Sequence, residues 1–295
     1  MNSPESDDFD IYLIDSNNNI ADENNSLVSL YKQVKENWEH LPIKELLNRG
    51  VIVSDELADV VAFISASGST QRLFRKSEKS SQLYGSIWAG IINNRAHKIE
   101  SSQKIQSFDL NLVDDLFLER VKNLSLVPKE IVNLPSLFLE VGIILIYEPT
   151  IKSSLIDGVV GKTITDRPYI GMSLRHNRLD NFWFTLFHEL GHICQHLEML
   201  DTPILDSEDF EATSDIEIEA DMYAKNNLIP RHLWNRSPLK FGHHYKLKSI
   251  IDLATMVGVH PSIVAGRIRR ERRDYKLHSG LVTEFNTRTI IWGEE

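Results

Sequence analysis

The sequence predicts an α+β fold: a mostly helical N-terminal module, then a core made of a small sheet and two helices. Three observations carry that expectation. From Leu27 to His97 apolar residues recur at helical spacing. Between Val141 and Leu174 the texture changes to β-branched apolar runs. A strongly apolar helix over 182–196 and an acid-rich one over 216–227 follow.

In chain order, Leu27, Leu30, Tyr31, Val34 and Trp38 mark the first helix. Pro42 suits a first helical position, leading through Ile43–Leu47 to a stop at Gly50. Ser54 caps a helix to Ile64, with Glu56 and Asp59 near its positive end, and Gly68 breaks it. Leu83–His97 reads as another helix. Strands are expected at Val141–Tyr147, Gly158–Ile164 and Tyr169–Leu174, the last two joined by a turn at Asp166-Arg167-Pro168. Asp180 is expected to cap the helix Phe182–His196, with Trp183 where a capping box would carry Glu. Residues 200–213 read as acidic and irregular. Asp215 caps Ile216–Asn227, which Pro230 ends. Two helices follow at 247–258 and 261–275, parted at His260-Pro261. Leu281–Trp292 alternates as a terminal hairpin or edge strand would. The implied domains are an acidic lead at 1–37, a helical module at 38–135, a core at 136–240 and C-terminal helices at 241–295.

The chain has 295 residues, 42% of them apolar and 25% charged, which suits a folded rather than a disordered chain. No run approaches the roughly 20 apolar residues of a membrane helix, and the N-terminus lacks the basic and apolar regions of a secretory signal. The single cysteine, Cys194, excludes a disulfide framework and any multi-cysteine zinc site. A cytoplasmic protein is the expectation. Charge is unevenly spread: seven acids and no Lys or Arg fall within residues 1–31, in a net of −10. The opposite bias lies between Arg267 and Lys276, a basic cluster that suits a solvated helix end or contact with a nucleic acid or acidic partner. The overall acidity argues against strong sequence-independent DNA binding.

Residues 188–192 read His-Glu-Leu-Gly-His. On a helix, positions i and i+4 lie about 40° apart around the axis, so His188 and His192 face one point and can bind one metal. Glu189 projects to the side, where it can reach a water. This is the H-E-x-x-H pattern of zinc peptidases, here inside a helix with apolar flanks. Such a centre needs a third protein ligand. A metzincin would place Gly at 195 and His at 198, where this chain has Gln195 and Glu198. His196 is a turn too far along. The thermolysin-like zincin solution, a Glu on a second helix, is supplied by Glu217-Ile218-Glu219-Ala220-Asp221. Glu217 and Asp221 share a face at i and i+4, so Glu217 is preferred as ligand over Glu219. Asp221 can accept the far ring N–H of a liganding histidine. Glu219 is expected to be a solvated carboxylate.

The stretches Asp180–Phe187 before the motif, Glu217–Ala224, and Leu228-Ile229-Pro230 resemble the ImmA/IrrE family of metallo-endopeptidases. Pro42–Gly50 looks like the start of the helical segment in longer members, and Val259–Arg267 like their C-terminal helix pair. The resemblance covers roughly residues 40–275. It implies His188, His192 and Glu217 as ligands and Glu189 as catalytic acid/base. It also implies Xre-type helix-turn-helix repressors as substrates, cut so that phage, mobile-element or stress genes switch on. No helix-turn-helix is legible before residue 40, which points to a separately encoded repressor. Zinc is the default metal, and a site of two His and one Glu also accepts manganese. Tyr169, Arg175, His176, Tyr223, His232, His243, His244 and His260 are candidates for stabilising an oxyanion or contacting substrate. Cys194 reads as a small buried residue, with a redox role or an inhibitory metal contact as the alternative. The competing function is a non-cleaving, antitoxin-like binding protein of a toxin–antitoxin or phage-defence operon. Sequence leaves the oligomeric state open.

Overall fold

A computed structural model of the chain describes residues 18–66, 80–151, 154–207, 214–242 and 246–293. Within them the N-terminal module is helical: α1 (Asn18–Glu36), α2 (Ile43–Asn48), α3 (Leu57–Ala66) and α4 (Ser80–Ser102). Short helical turns follow, with α5 (Asp115–Asn123) and α6 (Leu134–Leu139). Then come β1 (Ile144–Tyr147), β2 (Ile156–Lys162), β3 (Pro168–Met172), α7 (Leu179–His196), β4 (Ile204–Ser207) and α8 (Asp215–Leu228). The chain continues through α9 (Arg231–Arg236), α10 (Pro238–Phe241), α11 (Leu247–Val257) and α12 (Pro261–Arg272), and closes with α13 (Ser279–Val282) and α14 (Thr287–Trp292). This is an α+β fold with a helical N-terminal module.

The four strands form one mixed sheet in the order β1-β3-β2-β4. β1 runs parallel to β3, and β2 pairs antiparallel with both β3 and β4. Strand side chains alternate between faces, and this alternation feeds two cores. Leu145, Val160, Ile170 and Met172 pack with Phe182, Trp183, Leu186 and Phe187 of α7. Ile144, Ile146, Val159 and Tyr169, on the other face, pack with Ile87, Trp88 and Ile91 of α4. Full burial of each large side chain contributes about 1.5–3 kcal/mol, so α7 is anchored by its apolar residues and its polar ones are carried inside with them. Phe117, Val121, Ile131 and Leu134 join the core of α7 rather than that of the N-terminal helices.

Several expectations shift. Residues 200–213 are not wholly irregular, because Ile204–Ser207 pairs with β2. The segment is only four residues long and carries Asp206, too short to signal a strand by itself, and the edge of β2 supplies the pairing. Leu281–Trp292 forms neither hairpin nor edge strand but the helices α13 and α14. Asn286 decides this by capping α14, its side chain accepting the N–H groups of Arg288 and Thr289. α7 begins at Leu179, with Arg178 and not Asp180 at the cap, and Ser214 rather than Asp215 precedes α8. Arg273, with φ +52°, closes α12 at Arg272. The 1–17 part of the acidic lead, and the break at Gly68, lie outside the described residues. Among those residues no single helix is long and apolar enough to cross a membrane.

Candidate metal centre

α7 brings His188 and His192 to one side of the helix, and α8 crosses it to present Glu217. Close approach of the two helices is possible because residue 191 is glycine. A Cβ there would stand 3.1 Å from Cβ of Tyr223 and 3.2 Å from Cα of Ala220. Nε2 of His188 lies 3.1 Å from Nε2 of His192 and 3.1 Å from Oε2 of Glu217. The third edge, His192 Nε2 to Glu217 Oε2, is 3.6 Å. Donors about 2.0–2.1 Å from a tetrahedral ion lie about 3.4 Å from one another, so this triangle is of the size that holds one divalent ion. The donor types, two imidazoles and a carboxylate, suit zinc and also manganese.

Behind the triangle the far ring nitrogens are engaged. His188 Nδ1 faces Oδ1 of Asp221 at 3.3 Å. Asp221 also accepts from Lys225 Nζ at 2.8 Å. His192 Nδ1 meets His196 Nδ1 at 3.1 Å, and His196 Nε2 meets Oε2 of Glu219 at 2.8 Å. With His192 Nε2 given to a metal, its proton sits on Nδ1 and is donated to His196, which in turn donates from Nε2 to Glu219. Glu219 is 57% exposed along its side chain, yet it ends this chain and is not merely solvated. Sequence reasoning missed the pairing; the i+4 spacing of His192 and His196 was its only trace.

Glu189 has no exposed surface, and neither of its carboxylate oxygens has a hydrogen-bond partner. A Cβ on residue 158 would stand 2.1 Å from its Oε1, so Gly158 of β2 makes room for the carboxylate. Burial, against the pull of His188, holds this carboxyl well above the ordinary range. A fully buried acid without a partner, within electrostatic reach of His188 and Glu217, fits a centre completed by an ion and its water. Burial alone would hold His188 down, but hydrogen bonds to Asp221 and Glu217 raise it. Burial lowers His192. The two histidines outweigh burial at Glu217 and bring it to about 2. At Asp221, His188, Arg270 and Lys225 outweigh burial and hold it low.

The centre opens into a cleft of about 710 Å³ lined by α7, α8, β4 and α12. Two acids not foreseen from sequence line it, Asp157 and Asp206. Asp157 sits where β2 bulges against β4, an irregularity between Ile156 and Gly158 that re-aims one side chain. Arg175 holds it with two bonds, 3.0 and 2.9 Å. Burial pushes the Asp206 carboxyl up to about 6.

The other candidates scatter. Tyr169 is buried on the sheet face opposite α7, its ring against Gly161. Tyr223 packs at the α7–α8 contact, its hydroxyl 3.3 Å from the Cys194 sulfur. Arg175 is spent on Asp157. His176 lines the cleft. His260 caps α12 and meets the Phe285 ring edge-to-face, while His232 is exposed on α9. His243 and His244 lie outside the described residues. Of the basic cluster, Arg267 and Arg269 turn inward, while Arg270, Arg272, Arg273 and Lys276 are exposed. Arg267 pairs with Glu271 and lies over the Trp234 ring. Arg272 bonds the carbonyls of Lys240 and Gly242.

Comparison with known families finds one match. Residues 144–269 fit the profile of Peptidase_M78, described as the IrrE N-terminal-like domain. The matched segment holds the sheet, α7, α8 and most of α12. No curated protein and no solved structure matches the chain.

Proposed function

Residues 144–269 belong to the Peptidase_M78 family as an IrrE N-terminal-like domain, a family of metallopeptidase type, and from that premise we propose that the chain is a zinc- or manganese-dependent endopeptidase that cuts a helix-turn-helix repressor. The observation that carries the reading is Glu189, a fully buried carboxylate without a partner, set beside three metal-suited donors. His188, His192 and Glu217 would hold the ion. Bound there, it supplies a Lewis acid and makes water nucleophilic near neutral pH by lowering its pKa from about 15.7 towards about 7. Glu189 takes the proton from the attacking water and returns it to the leaving amine. Burial raises its pKa above that of an ordinary carboxyl, the direction that favours taking up a proton. Asp221 holds His188 in one tautomer through Nδ1, and His196 with Glu219 does the same for His192.

β4 is one of the two outer strands of the sheet, and Leu205 and Asp206 on it line the cleft. An unpaired strand edge is a template for an extended peptide, which supports a protein substrate lying along β4 across the triangle. Of the oxyanion candidates among the described residues, His176 is the one that shares the cleft. A repressor as substrate, and a role in phage defence or stress response, rest on the resemblance to ImmA/IrrE proteins.

The test incubates the metal-loaded protein with the repressor encoded beside it, wild type against Glu189→Ala. Cleavage by wild type and a loss of at least about 10³-fold in the variant are expected, the size of a missing acid/base in concert with its water. If both leave the repressor intact while binding it, the non-cleaving, antitoxin-like reading replaces the peptidase.

A further inference from the structure

The cleft does not end at the metal triangle. It runs along α7 towards the N-terminus of that helix, where α12 is seated. A Cβ at Gly266 would stand 2.6 Å from the Asp180 side chain, which places the middle of α12 beside the first turn of α7. Four arginines line the cleft here: Arg178, Arg267, Arg269 and Arg270. Two are already matched. Arg178 donates to Asp180 at 3.0 Å, and Arg267 to Glu271 at 3.0 Å. Arg270 lies 4.0 Å over the Phe184 ring and 3.9 Å from Asp221, which Lys225 and His188 already engage. Arg269 is different. It is only 6% exposed, and its Nε and Nη1 are buried without a hydrogen-bond partner. Asp180 and Asp274 act on it only through space. Buried N–H donors without partners are rare in folded proteins and call for a missing acceptor.

We propose that Arg269, flanked by Arg178 and Arg270, is an anion subsite that takes an acidic side chain of the peptide substrate. This rests on the peptidase reading of the same cleft and adds a specificity to it. A guanidinium fork matches a carboxylate in geometry and charge. The rest of the cleft is lined by Asp157, Asp206, Glu217 and Asp221, so a polyanion such as a nucleic-acid backbone is repelled while one carboxylate at the arginine end is not. Position follows from the helix. Asp180 and His188 are eight residues apart, about 12 Å along the axis at about 1.5 Å per residue. An extended peptide covers that distance in about three to four residues. The acidic residue therefore sits about three to four positions from the scissile bond, on the side that lies along the N-terminal half of α7.

The experiment uses a random peptide library and the metal-loaded full chain. Cleavage products are mapped by mass spectrometry for wild type, Arg269→Met, Arg269→Lys and Arg270→Gln. In parallel, peptides captured by Glu189→Gln and by its Arg269→Met double variant are sequenced. Wild type is expected to enrich Asp or Glu about tenfold at one position about three to four residues from the cut. Arg269→Met should erase the enrichment with metal content unchanged, and Arg269→Lys should keep part of it. Arg270 is 52% exposed along its side chain, so Arg270→Gln tests the row without emptying a buried site and should weaken the enrichment. Should wild type cut nothing while capture still shows an acid preference that depends on Arg269, the subsite stands and the peptidase reading falls. Absence of any acid preference among captured peptides overturns the subsite. So does a preference that Arg269→Met and Arg270→Gln both leave intact, or displacement by millimolar inorganic phosphate without peptide selectivity.

Discussion

At the scale of single residues, the centre depends on what its neighbours omit or hold in place. Gly158 leaves the space that Glu189 fills, and the atom a methyl would strike is the far end of that flexible side chain. Gly158→Ala should therefore fold and bind metal normally but push Glu189 off its line, costing about 10²-fold in kcat/KM. Unchanged activity with full metal content would show that Glu189 tolerates the shift. His196 and Glu219 hold the far side of His192. Chelator competition on His196→Ala should give a zinc affinity about 10- to 100-fold weaker, with a smaller loss for Glu219→Gln. Equal affinities in all three proteins would show that the pair does not act on the metal ligand. The H-E-x-x-H spacing was legible because it is local to one helix. The partner of Glu219 was not, since nothing in Glu217–Asp221 reveals which way α8 is rotated against α7.

Two helices and one strand edge make the site at the scale of elements. α7 is legible in sequence because its apolar residues run nearly all round it, the signature of a buried helix. α8 is legible as a helix, but its contact with α7 depends on Gly191 meeting Ala220 and Tyr223. Gly191→Val would force the helices apart at that crossing and draw Glu217 away from the histidines. We expect a loss of about 1–3 kcal/mol in stability together with weaker zinc binding, read by urea denaturation and chelator competition. A destabilised variant that still binds zinc at wild-type strength would separate the helix contact from the ligand geometry. β4 was hidden in the sequence: Ile204–Ser207 contains an acid and follows a proline, and its hydrogen-bonding partner lies more than 40 residues earlier.

For the whole molecule, the sheet is shared by two cores, and acids line the cleft beside it. Asp206 illustrates the consequence for stability. Burial and the nearby Asp157 raise its carboxyl to about 6, above the roughly 3.9 of an unfolded chain. The folded protein then keeps a proton that the unfolded chain releases, so this contribution is complete below about pH 4 and lost as pH rises through about 6. In chelator-treated protein the fall should be at most about 3 kcal/mol, and less to the extent that water reaches this half-buried group. Asp206→Asn should flatten that part of the profile in urea melts at pH 4 and pH 7. If the variant and wild type lose the same stability over that range, Asp206 does not carry the proton.

Sequence alone determined the elements whose signal is short-range: the helical period of the N-terminal module, the apolar run of α7, the i and i+4 histidines with Glu189 between them, and the resemblance that those residues carry. Helix periodicity and turn chemistry act within a few residues, so they survive in a linear reading. Tertiary structure decided the rest. It turned an irregular acidic stretch into the strand that lines the cleft and a terminal alternation into two capped helices. It also set Asp157 on a bulge and left Arg269 buried without an acceptor. Each of these depends on which surface meets which, and pairing between distant segments leaves no periodic trace in the chain.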